Sequence, residues 1–320
     1  MGHAASVETV PAFSVPDGFV LAERFRGLRT LFFVLGTQKA STTWLARMLS
    51  KSAECHVSPT KELHYWDMRE RRKARSAAIA KCNETIRNKL RDMALSIGHP
   101  ARARVALNQL RLGLAKRSLT IDPSVQNYCR LLMRGRRDQP VVGELTPVYC
   151  LLSAETIRRM AHLHDDTRFV FVMRDPVDRL WSGVKQAFQT DTRPRDRVWS
   201  DIRATFEASI DDPSSKAYRL SDYKAIISNV EQAVEPDRIA YFFHETIRTD
   251  GEMRRLSSHL GLTGIDVEPE RRVNRSLHDG LALPEDAARR ARDTFEPTYA
   301  FVAERFGERM PPSWRAAPVN

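Results

Sequence analysis

The apolar run Leu31 to Leu35 and the turn that follows it constrain this chain most. Five residues of β-forming type have strand length. Gly36 ends the run, and a short polar loop with a single lysine, Lys39, comes next. Ser41, Thr42 and Thr43 then open a segment in which Leu45, Met48 and Leu49 recur at helical spacing. A strand that passes through a polar loop into a helix start offers backbone N–H groups and the positive end of the helix dipole to an anion. Hydroxyls and an ammonium add hydrogen bonds to it. The loop is not the triphosphate-binding G-x-x-x-x-G-K-[ST] pattern. Counting from Gly36, Ser41 stands at the second glycine and Thr42 at the lysine. A triphosphate-dependent kinase is therefore disfavoured. The plain alternative is a polar loop with an ordinary Ser/Thr N-cap.

Further runs bounded by turn signals predict strands at Glu54–Val57, Pro140–Gly143, Arg168–Met173 and Arg238–Phe243. Helical patterns cover Thr43–Ser50, Ser153–His162, Val177–Phe188, Tyr223–Val234 and Glu252–Leu260, and Leu283–Phe306 reads as one or two closing helices. This alternation implies a parallel sheet covered on both faces, with ligands beyond the carboxyl ends of its strands. The expected fold class is α/β, a P-loop-like three-layer fold with a central parallel sheet of about five strands and a basic helical insertion. The expected organisation is one domain over residues 1–320, with an N-terminal extension at 1–28 and the insertion at 69–137.

Net charge is +11, but residues 69–137 hold 18 Lys/Arg against 4 Asp/Glu, so one segment exceeds the whole excess. Ile86, Leu90 and Met93 share a helical face, as do Leu107, Leu110 and Leu114, with Gly98–His99–Pro100 between them. They predict two amphipathic helices packed on the α/β core. Such a one-sided excess favours an acidic partner, the plain alternative being a solvated helical face. Cys55, Cys82, Cys129 and Cys150 are scattered without metal-type spacing and are expected reduced. No apolar run reaches the roughly 18 residues of a membrane span. The N-terminal residues lack the basic and apolar regions of a signal peptide, so a complete chain is expected in a cytoplasm.

Polar blocks cluster after the predicted strands. Lys61-Glu62-Leu63-His64-Tyr65-Trp66-Asp67 follows the second, and Gly143-Glu144-Leu145-Thr146-Pro147-Val148-Tyr149 follows the third. Arg174-Asp175-Pro176-Val177-Asp178-Arg179-Leu180-Trp181-Ser182 follows the fourth. Pro176 suits a first helical turn, which leaves Arg174 at the strand edge and Ser182 about two turns along. An arginine and a serine so placed can converge on a second anion.

Taken in order, GTQKASTTWL, KELHYWD, GELTPVY and RDPVDRLWS, with the weaker SDYKAIISNV and RRVNRS, resemble the sulfotransferases that use 3′-phosphoadenosine 5′-phosphosulfate (PAPS). Heparan sulfate and other carbohydrate sulfotransferases are the nearest in pattern. The resemblance implies that the first block, Gln38, Lys39, Ala40, Ser41, Thr42, Thr43 and Trp44, binds the donor. Lys39 would contact the 5′-phosphate and the bridging oxygen, and Thr42 and Thr43 would hold the 5′-phosphate. Arg174 and Ser182 would recognise the 3′-phosphate, and Lys61 would stand beside the transferred sulfuryl group. Glu144 falls where the family has its catalytic carboxylate. His64 is the rival base, since small-molecule sulfotransferases employ a histidine.

Several plain alternatives stand beside these roles. Arg174 could pair with Asp175 or Asp178, and Glu144 could be a cap or an ion-pair partner. Arg271, Arg272 and Asn274 belong either to a nucleotide-binding loop or to a solvated basic turn. The family commonly has glycine at the position of Ser41; a left-handed backbone there would strain a serine, whereas a plain helix-starting position accepts it and gains a donor. PAPS is the expected co-substrate, with no metal. The expected partner is a glycan or glycoconjugate, acidic or already sulfated, and not a nucleic acid. A peptide tyrosine, a small alcohol or a phenol stays open as acceptor, as does a nucleotide or small-molecule kinase as the activity.

Overall fold

A computed structural model describes residues 25–60, 62–70, 75–95, 100–189, 191, 193–266 and 280–315. Five strands form one sheet: β1 (Thr30–Gly36), β2 (Cys55–Val57), β3 (Val141–Leu145), β4 (Thr167–Met173) and β5 (Ile239–Phe243). Their order is β2-β3-β1-β4-β5, and every pair is parallel. The first half of the described chain carries α1 (Thr42–Leu49), α2 (Tyr65–Glu70), α3 (Arg75–Ala94), α4 (Pro100–Ile121), α5 (Val125–Leu132) and α6 (Ala154–Ala161). The second carries α7 (Pro176–Ala187), α8 (Arg195–Asp211), α9 (Lys216–Arg219), α10 (Tyr223–Glu231), α11 (Asp250–Leu260), α12 (Glu285–Thr294), α13 (Glu296–Phe306) and α14 (Pro312–Arg315). Among the described residues no helix is long and apolar enough to cross a membrane.

The period-2 alternation of strand side chains builds two cores from the same strands. Phe32 and Val34 of β1, Val170 and Val172 of β4 and Phe242 of β5 face α1 and α11. Leu31, Phe33 and Leu35, with Phe169, Phe171 and Phe243, face the larger layer that includes α5, α6, α7, α10 and α13. The result is the expected α/β fold with a parallel five-stranded sheet and helices on both faces. Of the four cysteines, Cys55, Cys129 and Cys150 are buried.

β1 lies between β3 and β4, so the chain leaves its end in one direction and returns on the other side. A crevice opens at such a reversal of strand order, beyond the carboxyl ends. The loop from Gly36 to Thr42 occupies it.

Two expectations need correction. The third strand does not stop at Gly143 but runs through Leu145. Glu144 is therefore within β3, opposite Phe33 of β1, and shares a face with Val142, which packs in the larger core. The insertion forms the two helices α3 and α4, but they pack mainly on each other. Gly113 lets Ile86 approach closely, and Arg117 Nε donates to Asn83 Oδ1 at 2.7 Å. Ala115 and Leu119 of α4 join the larger core, whereas Leu114, expected inside, is 50 % exposed and Leu90 is 46 % exposed. Polar α3 carries too few apolar side chains to bury a second face.

Gly143 is required by close packing. A Cβ there would lie 2.2–2.4 Å from three ring carbons of Phe32. Gly143→Ala should therefore destabilise the protein by about 1–3 kcal/mol, the usual cost of overpacking. Urea unfolding should show a lower midpoint at unchanged slope.

Candidate active site

The loop after β1 is fixed from both sides before it reaches α1. The Thr37 amide donates to the Val172 carbonyl at 2.7 Å, and its hydroxyl to the Leu220 carbonyl at 2.9 Å. A Cβ on Gly36 would lie 2.7 Å from the Pro147 carbonyl, so the loop begins hard against the turn that follows β3. Lys39 (φ 74°) and Ser41 (φ 59°) are both left-handed, at a cost of about 1–2 kcal/mol each. The position of Ser41 thus does demand positive φ, and the serine adopts it.

The Ser41 hydroxyl does not cap α1. It lies 2.7 Å from His244 Nδ1 and accepts from Arg248 Nη2 at 2.9 Å. Arg248 can only donate, which leaves the Ser41 hydroxyl its proton and a second lone pair, and the tautomer of His244 sets which of these Nδ1 engages. Arg248 also lies 5.3 Å from the centroid of the Trp44 ring. Burial, then the charges of Arg174 and Arg248, hold the His244 imidazolium down at a pKa of about 3. The ring is neutral. Within the loop Gln38 and Lys39 are half-buried, Ala40 and Thr42 buried, and Thr43 half-buried. Trp44 is buried, and its indole N–H finds no acceptor among the described residues.

Arg174 comes to this loop. Its Nη1 donates to the Lys39 carbonyl at 3.3 Å, while exposed Asp178 lies 3.8 Å away. Asp175 is engaged otherwise: it caps α7 through the amides of Val177 and Asp178 and accepts from the Tyr299 hydroxyl. Ser182 is half-buried two turns along α7, and no hydrogen bond joins it to Arg174 among the described residues. Lys61, Arg271, Arg272 and Asn274 lie outside the described residues.

The block after β2 forms the other wall. Glu62 (φ 60°) and His64 (φ 58°) are left-handed too. His64 Nδ1 sits 3.1 and 3.2 Å from the two carboxylate oxygens of Asp67, and its Nε2 is 3.6 Å from Glu62 Oε2. Burial and Lys116 work against the imidazolium, but its hydrogen bonds to the Asp67 and Glu62 carboxylates outweigh them and raise its pKa. Lys116 of α4 feels the same pair. Burial lowers its pKa, opposed by the charges of Asp67 and Glu62. Lys116 of the basic insertion thus lies near enough to this pair to feel its charge.

Glu144 does not present its carboxylate to this opening. It is 1 % exposed. Its Oε1 accepts from the Leu63 amide (3.1 Å), the Thr146 hydroxyl (2.6 Å) and the Tyr149 hydroxyl (3.0 Å), and its Oε2 from the Tyr128 hydroxyl (2.6 Å). Burial pushes its pKa up, against the hydrogen bonds from Thr146, Tyr128 and Tyr149. The bond to Leu63 ties β3 to the turn that carries Glu62 and His64.

Sequence reasoning missed the pairing of Ser41 with His244 and Arg248, and gave no role to Glu62, Asp67 or Lys116. The strand-end rule that singled out Arg174 applies equally to His244 after β5. Lys116 gave no such signal, because it belongs to a helix far along the chain.

The sequence matches the family model described as the Sulfotransferase family over residues 32–266. The match covers most of the chain, which therefore belongs to the sulfotransferase family. Among solved structures, it is similar to a sulfotransferase from Alicyclobacillus acidocaldarius, with 19 % identity and a TM-score of 0.56 over 90 % of this chain and 99 % of that one. That likeness extends to the fold. The sulfotransferase domain from the curacin biosynthetic pathway aligns more loosely, at 13 % identity and a TM-score of 0.40 over 85 % of this chain and 98 % of that one. No curated protein sequence matches significantly.

Because folded His244 titrates near 3 and an unfolded histidine near its ordinary 6.5, the unfolded chain binds the extra proton between these values. Its contribution to stability is complete above 6.5 and is lost as pH falls toward 3. His244→Asn, which keeps an acceptor but cannot titrate, should remove part of the acid sensitivity. The difference in slope between wild type and variant should approach at most about 1.4 kcal/mol per pH unit in urea unfolding from pH 7 to pH 4.

Proposed function

We propose that the enzyme transfers the sulfuryl group of PAPS to a hydroxyl or amine of a carbohydrate acceptor. The observation that carries this is the meeting, at the end of β1, of a left-handed lysine loop with Arg174 just after β4, at the same carboxyl edge of the sheet from which the Glu62–His64–Asp67 group follows β2. Lys39, Thr42, Thr43 and the loop amides hold the 5′-phosphosulfate, with Gln38, Ala40, Ser41 and Trp44 completing that wall. Arg174 and Ser182 take the 3′-phosphate, and Arg272 and Lys61, outside the described residues, are assigned to the nucleotide and to the transferred group.

Transfer is in-line. The acceptor oxygen or nitrogen forms a bond to sulfur as the bond from sulfur to the bridging oxygen breaks, and 3′-phosphoadenosine 5′-phosphate leaves. Charge develops on that bridging oxygen, where Lys39 stabilises it. The acceptor proton passes to a base in the Glu62–His64–Asp67 array, with Asp67 fixing the imidazole through Nδ1. Glu144 acts behind it as a positioning residue, because its carboxylate is saturated and buried. The insertion at 69–137, part of the same domain, supplies acceptor contacts. Lys116 and the excess of 18 Lys/Arg over 4 Asp/Glu there favour an acidic or sulfated glycan.

Calorimetry should show binding of 3′-phosphoadenosine 5′-phosphate in preference to ATP; ATP binding alone would overturn the donor assignment. Sulfuryl transfer from labelled PAPS to a panel of neutral and sulfated glycans, a phenol and a tyrosyl peptide then tests the acceptor side. His64→Asn should lower turnover about 10²–10⁴-fold while sparing nucleotide affinity. Glu144→Gln should mainly lower stability, since an amide donates toward groups that already donate. Full activity in His64→Asn, with none in a stably folded Glu144→Gln, would return the base to Glu144.

A further inference from the structure

The phosphate loop carries a side-chain device where a glycine would need none. Ser41 stands at φ 59° and ψ 13°, immediately before α1, and its hydroxyl is turned away from the helix it precedes. Both of its partners come from the turn after β5. That turn is closed by the amides of Thr246 and Ile247 on the Phe243 carbonyl, at 3.1 and 2.8 Å, and His244 is itself anchored by its amide to the Met173 carbonyl at 2.7 Å. His244 then offers Nδ1 at 2.7 Å, and Arg248 offers Nη2 at 2.9 Å. A left-handed serine has no steric reason to stay there. Its two hydrogen bonds reach more than 200 residues along the chain and tie the side chain of this left-handed residue to the turn after β5.

We propose that Ser41, His244 and Arg248 form a lock that holds the donor loop in its binding conformation, with His244 and Arg248 as positioning residues acting through Ser41. The proposal deepens the donor reading above and rests on it for its affinity arm. The lock works through the serine hydroxyl, so a glycine at position 41 makes it dispensable: glycine populates the left-handed region without help. A direct nucleotide contact by His244 would not be relieved that way. Nor would a purely structural role in the turn after β5.

The test is a coupled set of variants in the full chain, His244→Phe, His244→Asn, Ser41→Gly and the double variant Ser41→Gly/His244→Phe. Calorimetric affinity for 3′-phosphoadenosine 5′-phosphate should fall about tenfold in His244→Phe, the size of one lost hydrogen bond. His244→Asn, whose amide oxygen can take the place of Nδ1, should remain within about threefold of wild type. In the glycine background, His244→Phe should change affinity by no more than about twofold. Equal losses in both backgrounds, or none in the serine background, would overturn the lock.

A ligand-free measurement separates this from the donor assignment. Hydrogen exchange at Ala40 and Leu45, whose amides bond to the Thr37 and Ser41 carbonyls, should quicken about tenfold in His244→Phe but stay unchanged by it in the Ser41→Gly background. Absence of nucleotide binding in wild type would sink the sulfonucleotide reading alone. Exchange unaltered by His244→Phe in the serine background would sink the lock.

Discussion

Everything in this site depends on the hydrogen-bond ladder that seats β1 between β3 and β4. Parallel pairing brings the carboxyl ends of all five strands to one edge of the sheet. The segments carrying Lys39, Glu62 and His64, Arg174, and His244 and Arg248 are then brought to one edge, although some lie more than 200 residues apart in the chain. Burial of both faces leaves the strands no other register, since a slip by one residue would exchange the two cores.

The same edge is where the backbone departs from its easy conformations. Among the described residues the non-glycine positions with positive φ are Lys39, Ser41, Glu62 and His64, two on each wall of the opening. Such conformations persist only where surrounding contacts over-determine them. On one wall the contacts are those of Ser41 with His244 and Arg248. On the other, Glu144 collects four donors and fastens the Leu63 amide between the two strained residues. A buried carboxylate is costly unless its hydrogen bonds are complete, and here they are. Glu144 sits in β3 and holds, through the Leu63 amide, the turn that follows β2.

Much of the fold was legible because periodicity and turn chemistry are local. Each strand was found within two residues at either end, and the helices after Gly36, Ser153, Asp175 and Asp222 begin where serine, proline and aspartate signals fall. The ending of β3 was missed because Glu144 reads as a strand breaker. Only its pairing with Phe33 and the tyrosines that receive it make a strand position tolerable. The hairpin of α3 and α4 was legible as two helices but not as a pair packed chiefly on itself. Its apolar residues have the right spacing for a core face, and spacing alone cannot say what lies opposite.

By itself the sequence determined the class of fold, the place of the strand–loop–helix turn after β1, and the chain's membership among the sulfotransferases, because strand alternation and short polar motifs are read residue by residue. Tertiary structure decided which groups meet. It turned Glu144 inward, brought Lys116 of a distant helix to Glu62 and Asp67, and answered the missing glycine at Ser41 with a histidine and an arginine from the last strand's end. The reason is physical: hydrogen bonds and burial join atoms across the sheet edge, and no local pattern records which side chain stands on the far side of it.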